Sequence, residues 1–177
     1  MSAPDNYTKI VAGSVEDALS AQDGFQTGGG AVPGEASGAI APAAMGKQEE
    51  ENKALARQMV DALTRADVDW VKANYADDFQ IWVTGSLPFS GTADKAGAVA
   101  GMPAVLDLFP KGLRFEIKAM TAEGDRLAIE ATSRGTTFRG DEYRQEYHFL
   151  MRARAGKIVE WKEYMDTEHA RKVLVGG

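Results

Sequence analysis

YHFLMRARAGKIVEWKEYMD, residues 147–166, decides the fold. Its two halves flank an Ala-Gly turn, and each half alternates. Before the turn, Tyr147, Phe149 and Met151 share one face, with His148 and Arg152 on the other. After it, Val159, Trp161, Glu163 and Met165 alternate with Glu160, Lys162, Tyr164 and Asp166. The stretch therefore predicts an antiparallel hairpin with one apolar and one wet face. A carboxylate, Glu163, stands on the apolar face between a tryptophan and a methionine.

The same pattern extends upstream. RFEIKAM puts Phe115, Ile117 and Ala119 on one face. RLAIEATSR does so with Leu127, Ile129, Ala131 and Ser133, and Tyr143 and Gln145 extend the strand that carries Tyr147. DFQIWVT places Phe79, Ile81 and Val83 together. Earlier still the period becomes helical: Leu55, Met59, Ala62 and Leu63 form one stripe. Asp67 is placed to cap a second helix, VDWVKANYA. Thr92 is placed to cap a third, with Pro103 interrupting it. TEHARKVL reads as a closing helix. Helices first and antiparallel strands after them predict an α+β fold, with helices on one face of a curved sheet.

Residues 1–47 differ from the rest. GGGAVPGEASGAIAPAA is too poor in apolar side chains to form a core, and it reads as a flexible arm ahead of a domain at 48–177. SVEDALSAQ, residues 14–22, is a short helix candidate within it. The 177-residue chain has a formal net charge of −6, no cysteine and no basic stripe. Nucleic acid is therefore not an expected partner, nor is a membrane, since no apolar run is long enough to span one. The absence of cysteine excludes thiolate chemistry and fits a cytoplasmic location. His148 and His169 give no metal-ligand spacing, so neither a metal nor a cofactor is expected.

LTRADVDWVKANYADDF, the Gly91-Thr92 pair, GDRLAIEA and YHFLMRARAGKIVEWKEYMD together resemble the SnoaL-like polyketide cyclases and ketosteroid-isomerase-related proteins of the nuclear-transport-factor-2-like superfamily. The resemblance covers about residues 50–170. It implies a cone-shaped α+β roll (cystatin-like) around a deep apolar pocket, and often a homodimer through the outer sheet face. The ketosteroid isomerase base, tyrosine and protonated aspartate fall on Val83, Met59 and Tyr147, so neither carboxylate of that pattern is kept. The limonene-type epoxide hydrolase trio falls on Glu163, Ala131 and Ser133, which keeps one carboxylate. The polyketide cyclase pattern, an acidic group in an apolar pocket, fits best.

Glu163 is the expected acid/base, because burial raises a carboxyl pKa toward neutrality. Tyr147 is the expected donor to a substrate oxygen. Gln145, Ser133, Phe149, Trp161, Met165, Ile81 and Val83 are expected to line the substrate cavity. Ser133 has no histidine partner and is not a nucleophile. The expected activity is cofactor-independent cyclisation, isomerisation or dehydration of a small hydrophobic, carbonyl-bearing molecule. The alternatives are a non-catalytic ligand-binding protein and an accessory subunit of a larger oxygenase. Trp82, His148, Leu150, Ile158 and Tyr164 are read as the outer face of the sheet, where a dimer would form.

Overall fold

The structure is a computed structural model that describes residues 42–176. The helix expected at SVEDALSAQ, and the arm up to residue 41, lie outside these residues. Helix α1, Pro42–Thr64, begins inside the expected arm. Proline suits a first helical position because its fixed φ is already helical. The helix buries Leu55, Ala56, Met59, Val60 and Ala62 at the spacing of one face. Its polar side chains reach the sheet too. Asn52 Nδ2 donates to the Gly124 carbonyl at 3.0 Å, and the Gly124 N–H donates to Glu49 at 2.9 Å.

Helix α2, Val68–Asn74, is capped as expected, with Trp70 N–H donating to Asp67 Oδ1 at 2.9 Å. The chain then passes directly into β1, Tyr75–Val83. The short strand β2, Gly91–Asp94, occupies the residues read as a helix start. The cap of α3, Lys95–Asp107, is therefore Asp94 and not Thr92; its Oδ1 accepts from Gly97 N–H at 2.8 Å. Pro103 lies within α3 and does not divide it. No residue of α3 is fully buried, although Ala98, Val99 and Met102 pack against the core.

Strands β3 (Leu113–Glu123), β4 (Arg126–Thr136), β5 (Glu142–Arg154) and β6 (Lys157–Met165) follow. The chain closes with α4, Thr167–Ala170, and a wider-wound turn, Arg171–Gly176. The curved sheet has the order β2-β1-β6-β5-β4-β3. Its neighbours run antiparallel except β1 and β6, which pair in parallel and make the sheet mixed.

Two bulges correct the alternation. In β3 the register shifts between Ile117 and Ala119, so Met120 and Ala122 turn inward and Ala119 is exposed. In β6 an extra residue lies opposite the Arg152–Ala153 step, and Ile158 is fully buried in the core, not on the outer face. A bulge adds one residue to one strand and reverses which face the following residues take. From Trp161 onward the expected inner face is regained.

The main core lies between the sheet and α1 and α2, centred on Phe79, Ile129, Phe149 and Trp161. A smaller cluster at the C-terminal end gathers Leu87, Phe109, Tyr143, Val173 and Leu174. Phe115 and Met165 pack against both.

The loop leaving β1 is tied to α4's neighbourhood. Gly85 has φ +87°, and a Cβ there would lie 2.6 Å from Thr167 Cγ2. Gly85→Ala should therefore cost about 1–3 kcal/mol through backbone strain and overpacking together. Urea unfolding of the variant measures it; a loss below a few tenths would mean that loop and helix are not in contact.

Candidate functional site

Glu163 is held from both sides by the sheet. It pairs with Val83 of β1 and with Phe149 of β5, and its carbonyl accepts from Thr84 N–H at 3.0 Å. Its side chain therefore leaves the same face as the apolar residues around it. Trp161 Nε1–H donates to Glu163 Oε1 at 3.2 Å. No other hydrogen bond to the carboxyl is found among the described residues. The residue keeps partial access to solvent, yet the surrounding protein strips most of its hydration. That desolvation pushes its pKa up from 4.5 to about 7, against a smaller lowering by the Trp161 hydrogen bond.

Tyrosines share this interior. Tyr147 is buried, and burial raises its pKa well above the ordinary value, with the charges of Tyr143 and Glu163 acting in the same direction. Burial likewise raises Tyr143 and Tyr75, and Glu163 adds to both. All three phenols stay neutral and can donate. Their contacts are long: Ser133 Oγ–H donates to Tyr147 Oη at 3.4 Å, and the Tyr143 and Tyr147 hydroxyls lie 3.4 Å apart. Bonds of that length are loose and can re-form around a ligand.

The other expected residues divide into groups. Phe149 and Trp161 are fully enclosed, and their rings pack 4.8 Å apart in the core. Val83 is buried; Ile81 and Met165 are half-buried beside them. Ser133 is buried and bonded to Tyr147. Gln145 is engaged by the protein itself. Its Nε2 donates to the Asp166 carbonyl at 2.8 Å, and its Oε1 accepts from Asp166 N–H at 3.2 Å and Glu146 N–H at 3.0 Å. It pins the end of β6 and so positions Glu163 three residues earlier.

Tyr75 was not foreseen. It stacks on Phe79 with ring centroids 3.6 Å apart, and its hydroxyl has no hydrogen-bond partner among the described residues. Reading it as the end of a helix hid it; Tyr75 and Phe79 face the same way across an irregularity in β1. His169 also differs from its tail-like reading. It stacks on Tyr143 with centroids 5.4 Å apart, and its Nε2 is buried with no hydrogen-bond partner among the described residues.

Two of the recesses on the described surface bear on the site. One, about 340 Å³, lies on the outer face beside Trp82, Lys162 and Tyr164. The other, about 420 Å³, lies between α1 and β3. Neither is lined by Glu163. Among the described residues no group of three or more His, Asp or Glu side chains is placed to hold a metal ion. No described helix is long and apolar enough to cross a membrane.

The order of elements and the mixed, curved sheet define a nuclear-transport-factor-2-like α+β cone. Residues 56–161 match the SnoaL-like domain model, and the chain belongs to that family. It is similar to a candidate SnoaL-like polyketide cyclase from Jannaschia sp. CCS1, with 15% identity and a TM-score of 0.64 over 78% of this chain and 98% of that one. It is also similar to AclR, a candidate hydroxylase from Streptomyces galilaeus, with 26% identity and a TM-score of 0.56 over 70% of this chain and 80% of that one. A stretch of 62 residues, 35% of this chain, is 52% identical to a segment of the AAA+ ATPase ClpV1 of Pseudomonas aeruginosa. That segment is 6% of ClpV1, so the chain spans a small part of this curated relative. The SnoaL-like family and fold support a role as a small-molecule enzyme or ligand-binding protein.

The raised Glu163 pKa has a consequence for stability. Between about pH 4.5 and 7 the native state keeps a proton that the unfolded chain has released. Stability therefore falls as pH rises through that window, by roughly 3 kcal/mol when complete. Glu163→Gln removes the titration. The variant should match wild type near pH 4 and exceed it by up to that amount at pH 8, as measured by urea unfolding. Parallel pH curves for the two proteins would show that the carboxyl is not desolvated.

Proposed function

We propose that the protein is a cofactor-independent enzyme that moves a proton next to a carbonyl in a small hydrophobic substrate, in a cyclisation, isomerisation or dehydration. The observation that carries this reading is a carboxyl whose pKa lies at about 7, among tyrosines that stay neutral. Ionised Glu163 takes a proton from the carbon beside the carbonyl, and the electron pair moves to the carbonyl oxygen. The Tyr147 hydroxyl donates to that oxygen as charge develops. The proton then returns to a different carbon, or leaves with a hydroxyl as water. Trp161 holds Oε1, which leaves Oε2 for the transfer. Val83, Ile81 and Met165 supply apolar wall.

The test needs no knowledge of the natural substrate. In D₂O, 2-tetralone exchanges its acidic protons slowly, and NMR follows the loss. The protein should accelerate that exchange. The rate should rise with pH through about 7, because the base works as the anion. Glu163→Gln should abolish the acceleration, and Tyr147→Phe should lower it by about 10²-fold. Exchange no faster than in buffer would favour the second reading, a non-catalytic binding protein or an accessory subunit of a larger oxygenase. One observation favours that reading: neither of the two recesses described above is lined by Glu163.

The same reading includes a homodimer through the outer sheet face. Trp82 and Tyr164 rings pack 5.2 Å apart there, with His148 6.4 Å from Tyr164, and Tyr164 is exposed. Burying such a patch supports association at roughly 25 cal/mol per Å². Trp82→Glu should shift sedimentation from dimer to monomer at micromolar concentration. A monomeric wild type would refute the dimer.

A further inference from the structure

The recess between α1 and β3 has walls of two kinds. Arg57 on α1, Lys111 in the turn before β3 and Arg114 on β3 bring three cations to it. Val60, Phe115 and Ile117 supply an apolar floor. Its volume, about 420 Å³, lies within the range of small-molecule sites.

The three cations make no ion pair among the described residues, while the acids near them do. Asp61, also in the lining, is paired with Arg65, and Glu116 with Lys118. Glu50, whose charge Arg57 feels, is paired with Lys53. Arg57, Lys111 and Arg114 against Asp61 alone leave the lining net positive. Arg114 also attracts Glu116, but that carboxylate is bonded to Lys118.

The floor leads inward. Phe115 is half-buried and lies in the recess lining, and its ring centroid is 5.7 Å from that of Tyr147. It is opposite Ser133 in the sheet, and its N–H donates to Thr64 Oγ1 at 3.0 Å. The Phe115 ring therefore belongs both to the recess wall and to the aromatic contact with Tyr147.

We propose that this recess binds an amphipathic anion. A carboxylate or phosphate head lies between Arg57, Lys111 and Arg114, and an apolar body lies over Val60, Phe115 and Ile117 toward Tyr147. This names the substrate class for the enzyme reading and rests on it for the link to Glu163, but binding can be measured without turnover.

The test titrates the full chain with decyl phosphate, decanoate and decanol below their aggregation concentrations, following backbone amides by NMR. Both anions should bind saturably and shift the Thr64, Gly112 and Phe115 amides. Decanol should bind at least about tenfold more weakly, and added salt should weaken the anions alone. The stronger of the two anions tells a phosphate head from a carboxylate head. Arg57→Ala with Arg114→Ala should weaken the anions by about tenfold, leaving decanol binding and the melting temperature unchanged. Equal affinity for decanol, shifts confined to other elements, or no saturable binding would each overturn the site. If decyl phosphate binds but 2-tetralone exchange is not accelerated, the enzyme reading falls and this site stands. If exchange is accelerated without anion binding, this site alone falls.

Discussion

The parallel pairing of β1 with β6 joins the two ends of the domain. β1 follows the helical half and β6 is the last strand, so their hydrogen bonds bring residues about 80 apart in sequence side by side. That pairing lets the sheet close over α1 and α2 and brings Tyr75 and Phe79 into the core with Trp161. It also puts Val83 beside Glu163. With β5 on its other edge, β6 has no freedom to rotate, and the Glu163 side chain is committed to the interior. Gln145 fixes the strand's end through both polar atoms of its amide.

A committed carboxylate is costly, and the protein offsets only part of that cost. One indole N–H donates to it, and three phenols stand in its field without ionising. A site built only for stability would pair the charge with a cation or omit it. Here the group is left where its two protonation states are nearly equal in free energy at neutral pH. The proposed proton transfer rests on that balance.

Much of this was legible in the sequence, for a physical reason. Strands β4 and β5 are regular throughout, so period-two alternation assigned Ser133, Gln145, Tyr147 and Phe149 to the inner face correctly. Glu163 was assigned correctly because the β6 bulge falls before Trp161. The errors arose where the backbone departs from regularity. Ile158 and Ala119 were misplaced because a bulge leaves no mark in hydrophobic pattern. Thr92 was read as a cap because β2 is four residues long and carries almost no pattern of its own. Tyr75 was hidden because α2 runs into β1 without a loop. The engagement of Gln145 with Asp166 is a tertiary contact, which alternation cannot report.

The contact between Thr64 and Phe115 has a further effect. β3 is the last strand of its sheet, and such a border offers free N–H and C=O groups to any extended chain that approaches. Here the threonine hydroxyl occupies the Phe115 donor, α1 packs along the strand, and the irregularity at Lys118 bends the remainder out of register. Thr64, the last residue of α1, thus occupies one donor of that border, and the irregularity interrupts the straight template beyond it.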